Sequence, residues 1–300
     1  MLVLFSITGV QLLHAQKDST DLFAQQDADN KKDSKSRTDY TIATFKTTRL
    51  INGHSIENVG RGILDVKISH RFGPVGNGLY DLFGLDYASM RMGFDYGITE
   101  NWMVGIGRST FQKQVDAFVK VKLLKQSTGK VKMPISLAYV FTTMAQTLKD
   151  IPPTKTAFND RLYYANQLIV ARKFSENFSL QLMPTMITYN KTPLATDPKN
   201  LFSLGMGARQ KLSKKVSING EYYHQFNQLA RTYNSLSFGF DIETGGHVFQ
   251  IHFTNSTGMT ERTFITETSG TWADGSTRLG FNIARVFRVG KRTKALVNRG

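Results

Sequence analysis

The sequence predicts an all-β fold, a transmembrane up-and-down antiparallel β-barrel of about twelve strands. Three observations carry that prediction. Side-chain polarity alternates with period two almost without a break from Ile63 to Arg288, because successive side chains of a strand leave opposite faces. The connections between alternating segments are short on one rim and long on the other, the expectation for an outer-membrane barrel. After the first fifteen residues no apolar run is long enough to cross a bilayer as a helix, so any crossing is made by strands.

The clearest element lies within residues 233–256, YNSLSFGFDIETGGHVFQIHFTNS. Leu236, Phe238, Phe240 and Ile242 share one parity, and Ser235, Ser237, Gly239, Asp241 and Glu243 the other. Phe249, Ile251 and Phe253 then alternate with Gln250, His252 and Thr254. The pair Gly245 and Gly246 supplies the positive φ of a tight hairpin turn. In chain order, strands are predicted over residues 63–72, 87–97, 102–110, 115–125, 135–145, 161–174, 178–190, 201–212, 216–226, 233–243, 247–255 and 277–288. Each is near the ~10 residues that a tilted membrane strand needs. Short connections fall at 98–101, around 128–132, and at 175–177, 213–215 and 244–246, whereas 73–86, 146–160, 191–200 and 256–276 are long loops.

A closed ring of about twelve strands is wider than side chains can fill, which argues against a soluble barrel with an apolar interior. The apolar parity is therefore assigned to lipid and the polar parity to a wet lumen. Aromatics near strand ends, among them Phe72, Tyr96, Trp102, Phe178, Tyr222 and Phe287, suit interfacial girdles. Arg285 interrupts the apolar face of the last strand.

The flanks divide by composition. Residues 1–15 read as a secretory signal peptide, a short apolar run ending at His14, Ala15 and Gln16. Residues 16–40 form a polar leader with too little apolar surface to offset the entropy of ordering. Residues 41–62 are mixed, with Phe45, Leu50 and Ile51 as anchors, and are expected at the periplasmic mouth or inside the lumen. The barrel spans residues 63–289, and residues 290–300 are a basic tail.

The chain has no cysteine, which excludes disulfides and cysteine metal sites. Its formal charge of +15 is spread along the sequence without a basic helix or an RNA-binding aromatic signature, so nucleic acid is not an expected partner. The histidines are dispersed without metal-binding spacing. Gly105 and Gly107 lack the GK[ST] ending of a phosphate loop. No cofactor, metal or catalytic residue is expected.

The polar parity carries the lumen-facing candidates Asp65, Lys67, Arg71, Arg91, Asp95, Lys120, Lys122, Arg209, Glu221, Asp241, Glu243 and His252. Charges of both signs on one face neutralise one another across a narrow lumen or line a polar channel. The loop 73–86, GPVGNGLYDLFGLD, is too apolar for free solvation. Its Leu79, Tyr80, Leu82 and Phe83 are candidates to plug the lumen, pack on the rim or meet a partner. His252, Asn255 and Ser256 invite a membrane-phospholipase reading, but groups this close on one extended strand diverge from a hydrogen-bonded nucleophile.

The segments TRLINGHSIENVGRG, ILDVKISHRFGP, LYDLFGLDYASMRMGFDYGIT and FDIETGGHVFQIHFTNSTGM resemble a Bacteroidota outer-membrane β-barrel family of unknown function. The resemblance covers the chain from about Thr41 onward. It implies architecture and an outer-membrane location and carries no catalytic residue. The expected role is a structural or partner-binding membrane component or a narrow channel for small polar solutes. A lipid-modifying enzyme and a soluble exported β-protein are the alternatives. Expected partners are outer-membrane lipid, a small polar solute and a protein at the long loops; the oligomeric state is open.

Overall fold

The computed structural model describes residues 37–153, 155–244 and 247–289. The signal-peptide, tail and Gly245–Gly246 assignments, and the leader up to residue 36, lie outside these residues. In chain order the strands are β1 (Thr38–Tyr40), β2 (Ile63–Pro74), β3 (Ala88–Gly97), β4 (Trp102–Ser109), β5 (Gln114–Leu124), β6 (Ser127–Gly129) and β7 (Ser136–Gln146). They continue as β8 (Leu162–Lys173), β9 (Phe178–Tyr189), β10 (Asn200–Lys211), β11 (Val216–Gln225), β12 (Ser235–Thr244), β13 (His247–Thr254) and β14 (Arg278–Arg288).

All but β1 and β6 join one closed antiparallel barrel in which neighbours in sequence are neighbours in space. The ring closes between β14 and β2, with Ile283 opposite Ile68 and a register shift between Arg278 and Gly280. The predicted strands match the observed ones to within about two residues at each end. One expectation is corrected at the edge. Thr38–Tyr40, assigned to an unstructured leader, pairs with Ser127–Gly129 on the short-turn rim. The polar side chains there gave no alternation to read, and the sheet exists only because the 125–135 connection offers its backbone.

Alternation maps onto burial strand by strand. Leu236, Phe238, Phe240, Ile251 and Phe253 are exposed on the outer surface, while Ser235, Ser237, Asp241, Gln250 and His252 on the opposite parity are buried. Exposed apolar side chains on every face of a ring are stable only against lipid. The cross-strand pair Phe240 and Ile251 lies in the middle of β12–β13. Replacing Ile251 by Arg should cost about 2–4 kcal/mol of folding stability, the depth-dependent penalty of a cation on a lipid-facing strand. Reversible denaturant unfolding from liposomes measures it, and a change below about 0.5 kcal/mol, the size of a neutral surface substitution, would contradict the outward assignment.

Candidate functional site

The barrel interior is filled by two inserts. Residues 44–59 enter as a hairpin from the short-turn rim. Arg49 and His54 form its antiparallel bridge, Ser55 N–H donates to Thr48 O at 3.0 Å, and Leu50 N–H donates to Gly53 O at 2.9 Å across the tip. Phe45, Leu50, Ile51, Ile56 and Val59 are buried. A Cβ at Gly207 would collide with the Leu50 side chain, so the wall is thinned to a glycine where the tip packs.

The insert brings backbone polar groups into a space without bulk water, and each must find a partner. The wall supplies them. Glu221 accepts from the N–H groups of Ile51, Asn52 and Gly53 at 3.4, 3.2 and 2.9 Å. Gln181 accepts from Ile56 N–H at 3.1 Å and donates to His54 O at 2.7 Å. Lys120 donates to the carbonyls of Ser55, at 2.6 Å, and Glu57. Gln250 donates to Leu50 O, Asn282 to Ile51 O at 2.9 Å, and Arg209 to Ala43 O and Thr44 O at 3.0 and 3.1 Å. Arg71 reaches Asn52 Oδ1 at 2.7 Å. These partners come from strands distributed around the ring, which places the hairpin inside it.

The second insert is the start of the long connection 255–277. Residues 258–266 are buried, with Arg262–Thr266 forming one wide helical turn. Thr260 donates to Gln114 Oε1, and Phe264 meets Tyr223 edge-on with ring centroids 5.2 Å apart. Arg262 lies over the Tyr163 ring at 3.8 Å and donates through Nε to Glu267 Oε1 at 2.7 Å. Burial opposes the Arg262 cation, but the Glu267 carboxylate more than offsets this and raises the guanidinium above its ordinary value.

The inserts meet in mid-barrel. Arg49 Nη1 donates to Glu261 Oε1 at 2.8 Å, both side chains almost fully buried. His54 Nε2 is 3.4 Å from the same oxygen without hydrogen-bond geometry. Burial, reinforced by the adjacent Arg49 cation, lowers the His54 pKa well below its usual value and keeps the ring neutral. The cavity at the long-loop mouth, about 560 Å³, and that at the opposite mouth, about 390 Å³, share no lining residue. The void among Arg49, Lys67, Arg71 and Arg91 is only about 20 Å³, room for one water. Among the described residues, the two inserts stand between the mouths.

Of the residues singled out from sequence, Asp65, Lys67, Arg71, Arg91, Asp95, Lys120, Arg209, Glu221, Asp241 and His252 are buried. Lys67 bridges Asp65 and Asp95, and Arg91 forms a two-pronged pair with Asp116. Asp241 accepts from Gln250 at 2.8 Å. Lys122 is only half-buried. Glu243 is exposed at the strand end, where it pairs with Lys46 of the hairpin and lines the cavity at the short-turn mouth with Thr48 and Asp65. His252 has no hydrogen-bond partner for either ring nitrogen, and Ser256 Oγ donates to Gly258 O at 3.2 Å. That histidine and serine form no nucleophile–base contact.

The apolar loop was open to three placements, as a plug, against the rim or at a partner. Leu79, Tyr80, Leu82 and Phe83 are 75, 95, 50 and 51 % exposed and do not plug the barrel. Val75 and Gly76 N–H groups tie the start of this loop to Thr277 O and Gly275 O at 2.8 and 2.9 Å, holding it on the rim. Asp116 was legible, since it shares the parity of Lys120. Glu261 and Arg262 were not, because their segment has no periodicity.

Two outcomes test this packing. Glu221→Gln keeps the shape but loses the carboxylate, and should speed hydrogen exchange at Ile51–Gly53 by about 10- to 100-fold, equivalent to ~1.4–3 kcal/mol. Unchanged protection would remove Glu221 from hairpin docking. Glu261→Ala strands a buried Arg49 and should cost about 3–5 kcal/mol, whereas the double change Arg49→Met with Glu261→Leu should cost much less. Denaturant midpoints of the three proteins compare them, and equal losses would deny the pairing.

Solved structures of similar architecture are 9–12% identical in sequence. The NanC porin aligns at 10% identity over 74% of this chain and 98% of that one, with a TM-score of 0.48. The KdgM porin aligns at 9% identity over 75% and 99%, with a TM-score of 0.44, and it has also been solved in complex with disordered oligogalacturonate. At such identities no side-chain role passes from one barrel to another. No curated protein matches the sequence. Residues 45–287 match a family described as a membrane-bound β-barrel domain. That span takes in the second insert, all but the first residue of the hairpin, and eleven complete barrel strands with nearly all of β14. With its closed ring and apolar outer surface, the chain is an outer-membrane β-barrel, and it belongs to the membrane-bound β-barrel domain family DUF5777.

Proposed function

We propose that this protein is a non-enzymatic, gated passage for small polar solutes across the outer membrane, closed here by the N-terminal hairpin and the 258–266 insert. The observation that carries the reading is how the hairpin is held. Its backbone is bound by polar wall side chains and its tip by Glu221 and Glu261, and both of its ends return to the same rim. It can therefore withdraw without breaking any strand pairing. The vacated wall would present Lys120, Arg209, Glu221, Gln181 and Gln250 to water, a lining suited to polar solutes. The resemblance of the quoted segments supports a Bacteroidota outer membrane as the setting.

The exposed apolar loop favours a second reading, a partner-binding membrane component. Leu79, Tyr80 and Tyr87 are 75, 95 and 60 % exposed on one rim, more apolar surface than a solvated loop needs.

Planar-bilayer recording separates the two. The full chain should be silent at low voltage, while a chain lacking residues 44–59, with 257–268 replaced by a short Gly-Ser link, should give stable single-channel steps. A doubly excised barrel that is folded by heat-modifiable gel mobility yet still silent would overturn the passage reading and leave the partner-binding one.

A further inference from the structure

The cavity of about 560 Å³ at the long-loop mouth is within the ~300–1,000 Å³ of small-molecule sites. Its lining comes from four separate connections and from the one that carries the second insert, so it is a built recess and not a groove along one loop. Cationic and carboxylate side chains line it in equal number. They are largely committed to each other: Arg161 to Asp150 at 2.6 Å, Arg262 to Glu267 at 2.6 Å and Lys191 to Asp160 at 3.5 Å.

A recess of this kind carries no net charge to attract an anion or a cation, and only Lys149 and Asp197 of its lining stand outside these pairs. It offers adjacent donors and acceptors at fixed spacing. A hydroxyl donates and accepts at once, and a pair of neighbouring hydroxyls can do both against one ion pair without disturbing its charge balance. Leu148, Leu194 and Leu229 add apolar surface on the same lining, suited to the C–H face of a sugar ring. At the floor, Arg262 is buried, its guanidinium held over the Tyr163 ring and donating through Nε to Glu267 and through Nη2 to Gln112 at 2.9 Å, so the base of the cavity is a fixed polar surface.

From these features we infer that the recess is a binding site for neutral, hydroxyl-rich solutes of mono- to disaccharide size. The inference deepens the passage reading by naming its solute class, but binding to the closed barrel requires no passage. Glu261, which holds Arg49 of the hairpin, is the residue next to Arg262. A solute on the recess floor therefore sits one residue from the contact between the inserts.

The test is saturation-transfer NMR on the full chain folded in detergent, with maltose, sucrose, cellobiose and glucose as neutral probes and glucuronate, glucosamine and glycine as charged ones. At least one neutral probe should bind with Kd of about 10 mM or tighter, corresponding to ~3 kcal/mol or more of affinity. Binding should weaken by about 10-fold in Asp160→Ala/Lys191→Ala, a wall pair that holds no interior contact, and in Arg262→Lys. Heat-modifiable mobility of each variant verifies folding. No binding by any neutral probe, stronger binding of the charged ones, or equal binding by the wall variant would overturn the inference. Saccharide binding by the full chain, together with silence of the doubly excised barrel, defeats only the passage reading; conduction by the excised barrel without saccharide binding by the full chain defeats only this one.

Discussion

A ring of twelve strands encloses more space than its inward side chains fill, and in a membrane that space must be occupied by water or by chain whose polar groups are all satisfied. This chain takes the second course. The N-terminal hairpin has little regular structure of its own, so its N–H and C=O groups depend on the wall. Glu221 collects three amides at the tip, and Gln181 grips one donor and one acceptor on the return strand. Remove those side chains and the hairpin has no reason to stay inside. The polar parity that solubility patterning would place in water serves here as a docking surface for backbone.

The charged wall is organised by the same requirement. Lys67 sits between Asp65 and Asp95, and Thr48 of the hairpin donates to that same Asp95 at 3.0 Å. Arg91 is matched by Asp116, and Arg49 by Glu261. Isolated buried charges would each cost several kcal/mol; grouped, they compensate one another and leave a void of about 20 Å³. Arg71 balances against neutral amides, Asn52 and Asn282, instead of a carboxylate.

The strands were legible because period two leaves a mark that survives any packing detail. Both Phe240 and Asp241 declare their faces from the sequence alone. The contents of the barrel were not legible for the opposite reason. Residues 44–59 and 258–266 follow no period, and their positions are set by partners far away in sequence, such as Glu221 for Asn52 and Arg49 for Glu261. Glu243 was assigned by parity to the lumen, and parity could not say that it would meet the hairpin's Lys46 at the mouth, where the strand leaves the wall. Apolar composition in the loop 73–86 was real, yet two backbone hydrogen bonds to residues 275 and 277 hold it on the rim.

The hairpin lies ahead of the first barrel strand, and its partners run from Asp95 on β3 through Asn282 on β14. Those groups converge on one volume only after β14 has met β2. Early in assembly the segment has nothing to bind, and a ring that closed with a strand missing would offer it the wrong circumference. Occupancy of the lumen is thus a readout of correct closure. The segment that precedes every barrel strand in the chain is the one whose docking site is completed last.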